Sequence, residues 1–265
     1  MKVIKFILIT VLLVGCVFTA GCKKSQKSSS SSASSSSSND KSTASSLVTE
    51  GKIENQLALP QKGEQIAVFH VKNYGTFKCR LFPQVAPKAV QNFIGLAQNG
   101  KYDGVKFHRV IEDFMIQSGG NSDSIYGSGF NVELNQSLHH LKGALCAART
   151  SSQTSGQSSQ FYIVSSNNGK TADLDAVADH INQEYKKRGS KITLEYSDDV
   201  KNKYAEVGGY PWLDMQYTVF GQAFEGLDIV DKISNCPKSS KLSSTGENSV
   251  PDPEIILEKV EIVVY

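Results

Sequence analysis

The sequence predicts a mainly β domain from about residue 58 to residue 265, and three observations lead to it. Short apolar or alternating runs recur at 66–71, 75–82, 105–110, 114–117, 144–148, 160–164, 217–222 and 256–264. Turn residues separate them, as Asn73-Tyr74-Gly75 does between the first two. Only two short amphipathic helices and one longer helical stretch interrupt the series. Many short strands with few helices favour a sheet curled into a barrel, because closure leaves no unpaired edge.

In 75–82, Phe77, Cys79 and Leu81 alternate with Lys78 and Arg80, so one face of that strand is predicted to be buried. A helix then starts at Pro87, a residue suited to a first helical turn. Val90, Phe93, Ile94 and Ala97 form its apolar stripe, and Gly100 ends it. A second short helix is predicted over 227–233. The stretch 171–209 does not fit a minimal barrel. Leu174, Val177, Ile181 and Tyr185 share one helical stripe, and Lys186-Lys187-Arg188 before Gly189 suit a helix end. Ser197 is placed to cap a second helix carrying Val200, Tyr204 and Val207, closed by Gly208-Gly209. The stretch is thus a helical insertion between two strands, either an ornament on the sheet or a lobe that contacts other proteins.

The first 57 residues have a different character. Lys2 and Lys5 precede an apolar run from Phe6 to Phe18, followed by Ala20, Gly21 and Cys22. This is the three-part layout of a secretory signal over 1–21, and the run is shorter than the roughly 20 residues of a spanning helix. An uncleaved anchor helix is the alternative. From 25 to 46 the chain is mostly serine without a large apolar residue, which predicts a disordered spacer within a linker over 22–57. Such a coil reaches roughly 30 Å. The net charge of +2 gives no electrostatic footprint for nucleic acid. Cys79, Cys146 and Cys236 match no zinc or CxxC spacing and are odd in number, so buried free thiols are expected.

The richest segment for chemistry is Phe107-His108-Arg109-Val110-Ile111-Glu112-Asp113-Phe114-Met115-Ile116-Gln117-Ser118-Gly119-Gly120. An Arg flanked by apolar strand residues is costly without a partner or a task. Taken alone, it would be a salt-bridged Arg beside core aromatics. Further on come Gly143-Ala144-Leu145-Cys146-Ala147-Ala148-Arg149, then Ser159-Gln160-Phe161-Tyr162-Ile163, then Trp212-Leu213-Asp214 and Tyr217-Thr218-Val219-Phe220-Gly221.

Together, and in this order, these motifs resemble the cyclophilin family of peptidyl-prolyl isomerases over nearly all of 64–265 except the insertion. The resemblance implies a closed eight-stranded antiparallel barrel capped by two helices, with a substrate groove on its outer face. It implies Arg109 as the catalytic residue, and Phe114, Met115, Tyr162 and Leu213 as the lining of a proline pocket. Gln117 would bond the substrate backbone, and Ala148, Arg149, Gln160, Trp212 and Tyr217 would border the groove. Proline-containing polypeptides are the implied partners, cyclosporin-like ligands a further class, and a monomer the implied state. The chemistry needs no cofactor and no metal, because rotation about an amide makes and breaks no bond. Its barrier of roughly 18–20 kcal/mol comes from lost resonance, and a donor aimed at the twisted nitrogen stabilises only the transition state.

The sequence departs from the family where Arg149 replaces a common Asn and Tyr217 a common His. His139-His140 is expected to be a surface loop pair, and His108 to pack structurally. Thr19-Ala20-Gly21-Cys22 resembles the lipobox of bacterial lipoproteins, which implies Cys22 as a lipidation site and an extracytoplasmic, membrane-anchored protein. Leu13-Val14-Gly15-Cys16 fits the same pattern, but processing there would leave Val17 and Phe18 beyond the membrane surface.

Overall fold

The computed structural model describes residues 47–265 except 121, 150–155, 241 and 244–245. The signal segment, Cys22 and the serine-rich spacer lie outside these residues. Among the described residues, nine strands form one antiparallel sheet: β1 (Gln65–Val71), β2 (Gly75–Leu81), β3 (Val105–Lys106), β4 (Arg109–Ile111), β5 (Met115–Ser118), β6 (Ala144–Ala147), β7 (Phe161–Val164), β8 (Val219–Glu225) and β9 (Ile256–Val264). Their order is β3-β9-β1-β2-β8-β6-β7-β5-β4. Asn73 and Gly75 take positive φ, 65° and 112°, in the turn that fixes the β1–β2 register.

The sheet is an open half-barrel rather than the expected closed eight-stranded barrel. The run 105–110 breaks at Phe107-His108 into β3, which pairs with β9, and β4, which pairs with β5. These two edge strands are consecutive pieces of one chain direction, so they cannot pair with each other. Single bonds from Phe107 N to Ile255 O (3.0 Å) and from Val110 N to Ser249 O (2.7 Å) bridge the gap instead.

Helices α1 (Pro87–Gln98) and α4 (Leu227–Ser234) pack into the sheet's concave core. That core is aromatic: Phe69 stacks on Phe77 with centroids 4.4 Å apart, and Phe161 meets Phe93 edge-on at 5.6 Å. The α1 N-cap, Ala86, makes no side-chain bond. Buried Glu133 supplies the acceptors instead, taking Lys88 N at 3.1 Å and Ala89 N at 2.9 Å. Cys79, Cys146 and Cys236 are buried free thiols.

The insertion contains α2 (Leu174–Lys187) and α3 (Asp198–Val207), with Asp173 and Ser197 accepting from Ala176 N and Val200 N as N-caps. Leu174, Val177, Ile181 and Tyr204 form a second core with Val132, Leu134, Leu141 and Met215. The end of the predicted linker belongs to this structure, not to the spacer. Leu47, Val48 and Leu57 pack on the second core, and Thr49 N donates to Leu134 O at 2.8 Å. The Gln56 side chain bonds His139 O at 2.8 Å and Gln222 Oε1 at 2.9 Å. This strap is held mainly by backbone and amide bonds, so its few apolar residues show no period in the sequence.

Candidate active site

Strand register builds the site. Arg109 lies opposite Gln117, Gln117 opposite Tyr162, and Tyr162 opposite Cys146 on four neighbouring strands. Directly opposed residues share a face, so these four form one row on the convex side. The residues between them, Val110, Ile116, Phe161 and Leu145, point into the aromatic core. The alternation that turns one set into this core turns the other set outward, where Arg109 and Gln117 are half-buried and Tyr162 and Cys146 are buried under further side chains.

Met115 and Tyr162 sit on that outer face in an apolar cluster with Val164 and Val219, and Phe114, Ala148, Leu213 and Tyr217 pack against it. Burial pushes the Tyr162 phenol well up, so it stays neutral. Arg149 lies 4.5 Å over the Tyr217 ring and donates from Nη2 to Gln216 O at 3.2 Å. Gln117 Nε2 donates to Gln160 Oε1 at 2.9 Å. The structure thus brings Arg109, Phe114, Met115, Gln117, Ala148, Arg149, Gln160, Tyr162, Leu213 and Tyr217 to one region of the outer face. Trp212, next to Leu213, is 39% exposed, meets His180 of α2 edge-on at 5.5 Å and accepts from Gln216 Nε2 through its carbonyl at 2.6 Å.

Arg109 is half-buried and held by a residue that no sequence feature marked. Its Nε and Nη2 donate to Glu247 Oε2 and Oε1 at 2.8 and 3.0 Å. Its Nη1 lies 3.9 Å from Met115 Sδ, and the guanidinium carbon is 5.9 Å from the Phe114 ring centroid. The fork leaves Nη1 on the pocket side. Glu247 lies 138 residues from Arg109 within a polar, Ser-rich segment, and only the fold brings the two together.

The histidine pair also departs from expectation. His139 and His140 are buried, not on the surface, because both bond the fully buried carboxylate of Asp214. His140 Nδ1 lies 2.8 Å from Oδ1, and His139 Nδ1 lies 3.2 Å from Oδ2. Burial alone would raise the Asp214 carboxyl. The hydrogen bonds and charge of the two histidines outweigh it and hold the group well below the usual carboxylate range.

Gly119 turns the chain at the groove edge with φ of +98°. A Cβ there would run into the Ser159 carbonyl oxygen and sit 2.7 Å from Gln160 Cα. Gly119→Ala is expected to lower stability by about 2 kcal/mol or more, since both the backbone angle and the space are wrong. Thermal melts of the two proteins check this.

The chain is similar to known proteins. Residues 66–262 match the family model described as cyclophilin type peptidyl-prolyl cis-trans isomerase/CLD. A Staphylococcus saprophyticus protein named as a peptidyl-prolyl cis-trans isomerase is 36% identical over 214 residues, covering 78% of this chain and 97% of its own. A Staphylococcus aureus protein of the same name is 35% identical over 208 residues, covering 76% and 93%. The crystal structure of a Cryptosporidium parvum cyclophilin in the presence of the dipeptide Ala-Pro aligns with a TM-score of 0.54 and 25% identity, covering 76% of this chain and 99% of its own. A family model spanning most of the chain, together with relatives more than 30% identical over most of their length, makes the chain a member of the cyclophilin family of peptidyl-prolyl cis-trans isomerases.

Proposed function

We propose that this chain accelerates X-Pro rotation in exported polypeptides as a folding helper, with Arg109 as the catalytic residue. The observation that carries the reading is Arg109 Nη1, directed at Met115 beside Phe114 while Glu247 occupies the other two donor positions. A proline ring seated among Phe114, Met115, Tyr162 and Leu213 would be anchored while its acyl side turns. As the amide twists, its nitrogen loses conjugation and regains a lone pair. A guanidinium donor at that position stabilises the twisted state and not the planar one. Arg is always charged and its fork is rigid, so it holds this aim better than Lys would. Gln117 and Gln160, tied to each other, offer amide groups to the substrate backbone. The Ala-Pro dipeptide of the Cryptosporidium protein supports proline peptides as the substrate class.

Export and a lipid anchor at Cys22 rest on the N-terminal sequence pattern. The serine-rich spacer would let the domain reach polypeptides emerging at the membrane surface. A Cys22→Ser variant that stayed membrane-associated like the wild type would contradict the anchor.

For the activity, an Ala-Pro peptide relaxing from cis to trans should do so faster in proportion to added protein. No dependence on protein concentration would contradict the reading. Glu247→Ala frees the guanidinium to rotate, and kcat/KM is expected to fall by about five- to tenfold, as when a positioned donor loses its aim. The pair is partly exposed, so its loss should change stability by less than about 1 kcal/mol. Peptide kinetics and thermal melts on the same sample check both parts.

A further inference from the structure

Asp214 joins the insertion to the proline pocket. Tyr204 OH from α3 donates to its Oδ2 at 2.7 Å, and Tyr196 OH, from the link between α2 and α3, donates to the same oxygen at 2.9 Å. On the other side, His140 N and Nδ1 reach Oδ1 at 2.7 and 2.8 Å. The His140 ring then carries the chain onward, with Nε2 lying 3.0 Å from Tyr162 OH and the two rings nearly parallel. Every member of this path is buried. The insertion meets the same segment at three further points: Tyr185 OH donates to Met215 O, Tyr196 OH also lies 3.3 Å from Pro211 O, and His180 meets Trp212.

A carboxylate out of contact with water is tolerated only where donors surround it. Here two of those donors come from the insertion. Removing them changes how tightly Asp214 binds His140, and His140 is the partner of the Tyr162 hydroxyl. We propose that the insertion acts as a positioning element for the proline pocket, setting Tyr162 through Asp214 and His140. The inference rests on Tyr162 lining that pocket. It gives 171–209 a role in how the pocket binds its peptide, not only in contacting clients or covering the sheet.

The test is the double variant Tyr196→Phe/Tyr204→Phe, which removes two hydroxyls and keeps both rings. Two quantities are read: KM and kcat for an Ala-Pro peptide, and the ring resonance of Tyr162 in ¹³C-tyrosine-labelled protein, assigned by its loss in Tyr162→Phe. KM should rise about three- to tenfold with little change in kcat, as for partial loss of charge-assisted hydrogen bonds felt at a binding pocket. The Tyr162 resonance should shift. Ile181→Ala is the control, since it loosens the same insertion core without touching Asp214. It should lower the thermal midpoint and leave the Tyr162 resonance in place. An unmoved resonance in the double variant overturns the proposal, as does an unchanged KM or an equal shift in Ile181→Ala. If the wild type fails to isomerise the peptide, the isomerase reading fails instead. The resonance still reports the link, and peptide affinity then takes the place of KM.

Discussion

Asp214→Ala is expected to destabilise the protein by about 3–5 kcal/mol at neutral pH, the usual consequence of breaking a buried, paired charge. The carboxylate has no exposed surface and takes hydrogen bonds from His139, His140, Tyr196 and Tyr204. Removing it takes this acceptor from four buried polar side chains, of which only Tyr196 has another, Pro211 O, in reach of the same group, and each loss carries a desolvation cost. Its dependence on pH has a definite sign. The folded-state pKa lies below the unfolded value of about 3.9, so the carboxylate's stabilisation is complete above that pH. It is lost as pH falls through the folded value. Denaturant titrations of wild type and Asp214→Ala should therefore show their full gap at pH 7 and a narrowing gap in strong acid. A gap that widened on acidification would refute this account of Asp214.

Arg109→Ala is expected to lower kcat/KM by about 10²–10³, the range seen when one preorganised donor to a transition state is removed. The fold should tolerate the change. Arg109 sits at the sheet edge on the convex face, and its partner Glu247 is exposed enough to be solvated once the guanidinium is gone. The pocket of Met115, Phe114 and Tyr162 would remain, so peptide binding should survive while turnover is lost. Arg109→Lys should recover little, because one ammonium cannot hold both Glu247 oxygens and still direct a third donor at the pocket. Rates on an Ala-Pro peptide, with melts to confirm matched folding, give the comparison.

The sheet was legible in the sequence because its buried face alternates with a period of two. Phe77, Cys79 and Leu81 are buried on β2, and Arg80 on the other face is buried as well because it is paired with Glu64. The same period could not show where a strand breaks. In 105–110 the apolar pattern runs on, yet pairing switches from β9 to β5 at Phe107-His108, and this opens the barrel. The insertion helices were visible through their stripes and through Ser197, whose hydroxyl accepts from Val200 N. The strap at 47–57 was not, since its hold comes from backbone bonds to Leu134 and from Gln56. For the site, the motifs named the residues that the register then aligned. What they could not reveal were the partners reached through the fold: Glu247 on Arg109, and Asp214 on two histidines that look like a polar loop when read locally. Ion pairs between distant positions leave no local pattern, so polar networks were the least legible part.

The central claim is that Arg109 turns the X-Pro bond that the outer-face groove holds. NMR exchange spectroscopy on an Ala-Pro peptide tests it most directly, because cis–trans exchange is read at a known bound fraction. With peptide occupancy matched, wild type should show rapid exchange and Arg109→Ala should show exchange close to that of the free peptide. Equal exchange in the two proteins at equal occupancy would contradict the account.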